Sequence, residues 1–249
     1  MILGYPLLVF VLSFFAFWLS ILIGAFFWGG IRPVKESERQ DLNLIVSSSL
    51  TLLALILGFA FSMAVSRYDL RKNYEEEEAN AIGTEYARAD LLPADAAAKV
   101  RPLLVQYLDQ RILFYTVQDQ QKLDSIAAQT TKLQDAMWLT VQSAAREQPN
   151  PVTALAVAGM NDVLNRQGYT QAAWRNRIPT GAWALMITLA ICCSVLVGYS
   201  THDRKTLWLP ILPFLVAMAF LLIADIDSPR RGIIHVMPQN MLSLQQSLR

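Results

Sequence analysis

Four stretches of this chain contain no charged residue, and each is about as long as a helix that crosses a bilayer. They are Ile2–Ile31, Leu42–Ser66, Ile178–His202 and Thr206–Ala224. A helix needs roughly 20 apolar residues to cross about 30 Å of hydrocarbon. Only a helix satisfies its own backbone hydrogen bonds within one such segment. The sequence therefore predicts an all-α integral membrane protein with four transmembrane helices.

The first stretch could instead be a cleaved secretion signal, but its features do not fit one. No Lys or Arg precedes the apolar run. The run is also far longer than the apolar core of a signal, which is about 7–15 residues. We therefore expect it to stay in the protein as a membrane helix.

Reactive side chains are too few and too scattered for an active site or a metal centre. The two histidines, His202 and His235, lie far apart, and Cys192 and Cys193 are adjacent inside an apolar stretch, where we expect buried thiols. There is no glycine-rich phosphate loop and no nucleophile elbow. The net charge is +1, which gives no basic surface for nucleic acid. These features predict a protein that is not an enzyme and has no cofactor, metal or nucleic-acid partner.

The uncharged stretches divide the chain into a pair of spans, a polar insert, a second pair and a tail. The predicted boundaries are 1–66, 67–177, 178–226 and 227–249. The insert is too long to be an unstructured loop. From Arg67 to Leu92 it contains no proline and only one glycine, which predicts that the second membrane helix continues unbroken until just before Pro93.

The rest of the insert has helical periodicity. We expect helices over Asp95–Thr116 and Gln120–Arg146, and a further helix capped by Asn150 with Pro151 at its first position. The helix over Gln120–Arg146 has a nearly heptad apolar stripe. The stripe consists of Leu123, Ile126, Thr130, Leu133, Met137, Val141 and Ala144.

Basic residues near the spans give a weak orientation signal. Seven lie on the side of the insert and both termini: Arg67, Arg71, Lys72, Arg175, Arg177, Arg230 and Arg231. Five lie on the opposite side: Arg32, Lys35, Arg39, Arg204 and Lys205. The positive-inside rule then predicts a cytoplasmic insert and cytoplasmic termini.

The second span has a stripe of small and hydroxylated side chains at helical spacing. Its members are Ser47, Thr51, Ala54, Gly58, Ser62 and Val65, flanked by Phe59 and Phe61. Small residues allow close helix packing in membranes, whereas hydroxyls and narrow apolar rings also suit a pore wall. The sequence leaves both interpretations open.

Acidic residues follow two of the spans. Glu75, Glu76, Glu77 and Glu78 lie on the predicted extension of the second helix. They are either solvated and paired with Arg71 and Lys72, or they form rings of carboxylates at a channel vestibule in a symmetric oligomer. Asp225 and Asp227 border the fourth span, where we expect them in water beside Arg230 and Arg231.

Several of these segments together resemble the bacterial bestrophin-like family. They are Leu57–Asp69, Glu77–Thr84, Arg88–Pro93, Arg175–Pro179 and Ile223–Gly232. The resemblance covers nearly the whole chain and implies a multi-pass protein of a bacterial inner membrane. It implies the plan of bestrophins, which are pentameric ion channels whose second membrane helix lines a narrow apolar neck above a helical cytoplasmic body. Animal bestrophins carry an acidic calcium-binding segment after the fourth span, and this chain has only two acidic residues there, so calcium gating is not expected.

The leading hypothesis is a homo-oligomeric, by resemblance pentameric, channel for small monovalent inorganic ions in the lipid bilayer. The candidate pore-lining residues are Ser47, Thr51, Ala54, Gly58, Phe61 and Ser62, with vestibule charge from Glu75, Glu76, Glu77 and Glu78. The alternative is a membrane-anchored helical scaffold or sensor without a conducting pore, whose insert binds a partner.

Overall fold

The computed structural model describes residues 4–28, 34–201 and 209–249, and this part of the chain contains helices and no strands. Two compact units can be distinguished. The first, here called the membrane unit, comprises Met1–Arg67 and Arg177–His235. The second, here called the polar unit, comprises Tyr68–Asn176 and Val236–Arg249. The predicted tail is thus shared between the units.

The membrane unit contains the most apolar helices. They are α1, Pro6–Leu22, which continues as a π-helical segment Ile23–Trp28; the first part of α2, Arg39–Arg88; α6, Thr180–Ser200; and α7, Ile211–Asp227. Three helical stretches of the described residues are long and apolar enough to cross a bilayer, namely Pro6–Phe26, Glu36–Leu91 and Pro151–Ser200. The predicted fourth span falls on α7, which has 17 residues, and on residues 206–208, which lie outside the described part. The other predicted boundary residues at 29–33 and 202–205 also lie outside it.

Helix α2 is too long to lie in the hydrocarbon along its whole length. Its 50 residues extend about 75 Å at 1.5 Å per residue, against about 30 Å of hydrocarbon. The charge-free part, Leu42–Ser66, is the part whose length and composition suit the hydrocarbon, and the helix becomes charged from Arg67 on. A 3₁₀ turn, Ala89–Leu91, follows α2 directly, so the predicted unbroken helix that stops before Pro93 is confirmed.

Within the membrane unit, α1 and α6 approach each other closely at two glycines. A Cβ atom at Gly24 would lie 2.1 Å from the carbonyl oxygen of Val195, and one at Gly198 would lie 2.0 Å from that of Ile21. Backbone-to-backbone contact of this kind is what small residues permit in membrane helices. In the membrane unit, glycines thus allow close helix packing between α6 and the helix formed by α1 and its π-helical continuation.

Two buried carboxylates organise the chain around the end of α7. Asp225 accepts the backbone N–H groups of Ile233 and Ile234, each at 2.8 Å, and Asp227 accepts that of Ile178 at 3.0 Å. Both aspartates are about 5% exposed. The expectation that they lie in water beside the arginines that follow them is wrong, because backbone donors inside the fold satisfy them instead.

The polar unit is a helical bundle with its own core. It contains the last part of α2, α3 Ala94–Thr116, α4 Gln120–Glu147, α5 Pro151–Arg175 and the short α8 Gln239–Ser247. The predicted helix bounds are confirmed to within one residue. All seven residues of the predicted α4 stripe are buried. Asn150 caps α5 as predicted, because its side chain accepts the N–H groups of Val152 and Thr153.

Candidate functional site: helix α2 and its charged extension

The spanning part of α2 presents one narrow face to its own chain. Leu53, Ala60 and Ala64 are buried there, and their spacing of seven and four residues places them on one side of a helix with 3.6 residues per turn. Of the 18 residues in the most apolar part of α2, only 11% are buried by the rest of the chain, against 28% for the corresponding part of α1. Most of the surface of this apolar helix is thus left for lipid, water or another subunit.

All six candidate pore-lining residues belong to the exposed surface of α2. They are Ser47, Thr51, Ala54, Gly58, Phe61 and Ser62. At roughly 100° per residue, Thr51, Gly58 and Ser62 lie nearly opposite Leu53. We call the strip formed by Ser47, Thr51, Ala54, Gly58 and Ser62 the small sector. Phe61 borders it.

The remaining exposed surface of α2 has a different composition. It carries the large apolar side chains of Leu52, Leu55, Phe59 and Met63, and we call it the large sector. The α2 surface that its own chain leaves uncovered therefore has a strip of small side chains beside a strip that is mostly bulky and apolar but also contains the exposed Ser48 and Ser66.

Two of the three hydroxyl groups of the small sector donate to carbonyl oxygens of their own helix. Ser47 Oγ donates to the carbonyl oxygen of Leu44 at 3.0 Å, and Thr51 Oγ1 donates to that of Ser47 at 2.9 Å. In this geometry, these two side chains present their oxygen lone pairs as acceptors to the outside of the helix.

Gly58 has open space around it in the single chain. A Cβ atom built there would meet no atom within 4 Å, unlike those at Gly24 and Gly198. The close packing that would explain this glycine is therefore not made within one chain. The sequence left two interpretations of this strip, close helix packing and a pore wall. If the strip serves packing, its partner is another subunit; otherwise it faces a pore.

In the glutamate run beyond the membrane, two of the four carboxylates are enclosed by the polar unit. Glu75 is 1% exposed; it accepts the backbone N–H of Met241 at 3.0 Å and the side-chain amide of Asn240 at 2.7 Å. Burial raises the pKa of Glu75 above its ordinary value, although these hydrogen bonds oppose the rise. This carboxylate anchors α8 to α2.

Glu78 is also fully buried and forms the centre of a polar cluster. Both of its oxygens accept from the guanidinium of Arg111, the longer contact at 3.3 Å, and Thr170 Oγ1 donates to Oε2 at 2.8 Å. Arg111 is 1% exposed and lies over the ring of Phe114, 4.4 Å from its centroid. The attraction of Glu78 raises the pKa of Arg111 despite its burial, so the guanidinium stays charged.

Only Glu76 and Glu77 of the run reach the surface. Glu77 is 44% exposed and forms an ion pair with Arg166 of α5. The expectation of four vestibule carboxylates is therefore corrected for Glu75 and Glu78, whose oxygens are used inside the fold. Consecutive helical residues point in different directions, so a run of four cannot share one surface.

The sequence analysis missed three residues that determine this arrangement. Arg111 interrupts the apolar face of α3, and an arginine on such a face is the signal that would have pointed to a buried acidic partner. Asn240 and Thr170 carry no comparable signal.

In the rest of the molecule, Cys193 is buried as expected but Cys192 is exposed, which corrects that expectation. Within the described residues, no group of three or more His, Cys, Asp or Glu side chains could hold a metal ion.

Long apolar helices joined to a polar helical bundle define this chain as a helical membrane protein. A family model, described as the Bestrophin-like domain, matches residues 11–241. The chain therefore belongs to the Bestrophin-like family. No match was found among curated proteins.

Solved structures with the same fold include a bacterial bestrophin homologue from Klebsiella pneumoniae. Its zinc-phased crystal structure has a TM-score of 0.64 at 13% identity and covers 97% of this chain and 96% of its own. A single-substitution variant of that homologue has a TM-score of 0.67 at 13% identity, with coverages of 96% and 95%. A crystal structure of a variant described as a membrane protein has a TM-score of 0.65 at 14% identity, with coverages of 98% and 97%. At such identities these matches establish the fold.

Proposed function

We propose that this protein is a homo-oligomeric ion channel, with five subunits by family resemblance, that passes small monovalent ions. The pore is lined by α2 from each subunit. Membership of the Bestrophin-like family supports the channel class, and the division of the α2 surface supports the choice of helix.

The observation that carries the proposal is the small sector, an exposed strip of five small side chains, three of them hydroxylated, on a long and mostly apolar helix. Bulky apolar side chains, such as those of the large sector, suit lipid or the groove of a neighbouring helix. Small side chains such as Thr51 and Gly58 leave space when several helices surround an axis, and hydroxyl oxygens such as that of Thr51 can contact water and ions. Phe61, at the border of the strip, would narrow the neck.

The same proposal includes four spans and a single orientation. The apolar α7 is the fourth span, together with the residues before it, and the polar unit and both termini are cytoplasmic. Reporter fusions after Leu92 and at Arg249 should then both give cytoplasmic signals. A periplasmic signal from either fusion would reverse the orientation.

Cysteine accessibility tests the pore assignment, in a channel whose own cysteines are replaced by Cys192→Ser and Cys193→Ser. In planar bilayers, Thr51→Cys and Gly58→Cys should react with small water-soluble thiol reagents, and the reaction should block current. The open space at Gly58 accommodates the new side chain.

Two kinds of matched control separate a pore wall from other exposed surfaces. Leu53→Cys is buried against its own chain, and Phe59→Cys lies in the large sector, so neither should react quickly with a charged reagent. If Phe59→Cys reacts and Thr51→Cys does not, another face of α2 lines the pore. If liposomes that contain the purified protein show no ion flux, the channel hypothesis is wrong and the hypothesis of a non-conducting scaffold takes its place.

A further inference from the structure

One carboxyl group of the polar unit is buried without a hydrogen-bond partner. Glu85 of α2 is 0% exposed, and both of its carboxyl oxygens are buried and make no hydrogen bond in the described part of the chain. An ionised carboxylate in such a place costs several kcal/mol, because neither water nor a donor replaces its hydration. The site therefore favours the neutral, protonated acid.

Helix α5 leaves room for this carboxyl group at a glycine. A Cβ atom at Gly159 would lie 2.0 Å from Glu85 Oε2 and 2.6 Å from Arg88 Nη1. No side chain other than hydrogen fits there without displacing Glu85 or Arg88. The carboxyl group thus fills a notch in the backbone surface of α5, and it holds α2 and α5 in direct contact.

Two charged groups face Glu85, one from each helix. Arg88 lies one turn further along α2, and Asp162 lies one turn beyond the notch on α5. Burial, opposed by Arg88 and reinforced by Asp162, raises the pKa of Glu85 to about 8. The guanidinium of Arg88 lies close by but makes no ion pair with Glu85 within the described contacts.

Water can reach the edge of this contact. A cavity of about 310 Å³ shares Arg88, Gly159 and Asp162 in its lining, together with the ion pair of Glu77 and Arg166. An ionised Glu85 would find water there on leaving the notch, and it would stay near the Arg88 guanidinium, which borders both the notch and the cavity.

We propose that Glu85 is a proton-binding site that controls the contact between α2 and α5. With the proton bound, the carboxyl group stays in the Gly159 notch and the helices are closed. When the proton leaves, the carboxylate moves into the adjoining cavity and pairs with Arg88, and the contact at Gly159 opens. This inference concerns the polar unit and holds whether or not the pore conducts.

The difference in proton binding between the open and closed forms fixes how the opening equilibrium depends on pH. If the open form has an ordinary glutamate pKa, near 4.5, it binds fewer protons than the closed form between about pH 4.5 and pH 8. The opening equilibrium should then rise about tenfold per pH unit in that window. Above about pH 8 both forms are ionised and the equilibrium should level off.

Amide hydrogen exchange of α5, measured by mass spectrometry on the detergent-solubilised full chain, tests this directly. Wild type and Glu85→Gln are compared at each pH, so the intrinsic pH dependence of exchange cancels. The ratio of wild-type to Glu85→Gln exchange in peptides that contain Gly159 should rise about tenfold per unit between pH 5 and pH 8. It should be constant above that range.

Two further variants keep the test decisive. Glu77→Gln, at the exposed ion pair that lines the same cavity, should leave the pH profile of wild type unchanged. Gly159→Ala fills the notch, so the ratio of its α5 exchange to that of Glu85→Gln should already be as high at pH 5 as the wild-type ratio is near pH 8. A wild-type to Glu85→Gln ratio that is flat from pH 5 to pH 8, or slow exchange in Gly159→Ala, would overturn the proposal.

Discussion

The buried ion pair between Glu78 and Arg111 allows a sharp test of how the polar unit is held together. Both side chains are at most 1% exposed, and Glu78 also accepts from Thr170. Removing one partner of such a pair leaves a buried charge without compensation, which costs about 3–5 kcal/mol. At about 3 °C per kcal/mol for a chain of this size, Glu78→Gln should lower the unfolding midpoint by about 10 °C.

The neighbouring residue supplies a matched control. Glu77 makes the same kind of ion pair with Arg166, but the two side chains are 44% and 38% exposed. Pairs in water contribute about 0.2–1 kcal/mol, so Glu77→Gln should shift the midpoint by no more than about 3 °C. The two substitutions are identical in chemistry and adjacent in sequence, and they differ mainly in burial.

A double substitution separates loss of the pair from loss of packing. Replacing a buried pair by apolar residues of similar volume is often neutral or stabilising, so Glu78→Leu with Arg111→Met should recover most of the stability lost in Glu78→Leu alone. Thermal unfolding in detergent, followed by intrinsic tryptophan fluorescence, measures all of these variants. Equal shifts for Glu77→Gln and Glu78→Gln, or no recovery in the double variant, would refute the reasoning.

Three other predictions concern separate parts of the molecule. Asp225→Ala removes the acceptor of two backbone N–H groups, so proteolysis in residues 228–237 should be faster than in wild type, and Asp225→Asn should be intermediate. Asn150→Ala removes the cap of α5 and should destabilise the chain by about 1 kcal/mol, measured as a fall in the unfolding midpoint; no shift would argue against the capping bonds. We expect a modest cation preference from Glu76 and Glu77, measured as the reversal potential under a KCl gradient. This preference should weaken at high salt and in a variant with Gln at both positions. An anion preference that neither change affects would contradict the electrostatic argument.

Local features of the fold could be predicted from sequence because their causes lie within a few residues. The α4 stripe follows from apolar spacing, the start of α5 from Asn150 and Pro151, and the length of α2 from the lack of proline. The helical spacing of the candidate pore residues predicts that most of them share one side of α2, whereas their exposure depends on which helices of the same chain pack against α2.

The fate of the charged residues could not be predicted, because their partners are distant in sequence. Glu78 meets Arg111, which is 33 residues away, and Thr170, which is 92 residues away. Asp225 is satisfied by backbone groups, which look alike at every position. Nothing within the run of glutamates distinguishes those enclosed by the fold from those on its surface.

The anchoring of α8 by Glu75 has a consequence for the order of events during synthesis. The partner of Glu75, Asn240, is 165 residues further along the chain, and the second segment of the membrane unit, Arg177–His235, is translated in between. The ribosome therefore completes α6 and α7 before the polar unit can be completed. Until then the Glu75 carboxylate lacks its two hydrogen-bond donors on α8, and the surface of α2 that α8 will cover is open to other contacts. The polar unit can thus reach its final form only after the whole second segment of the membrane unit has been made.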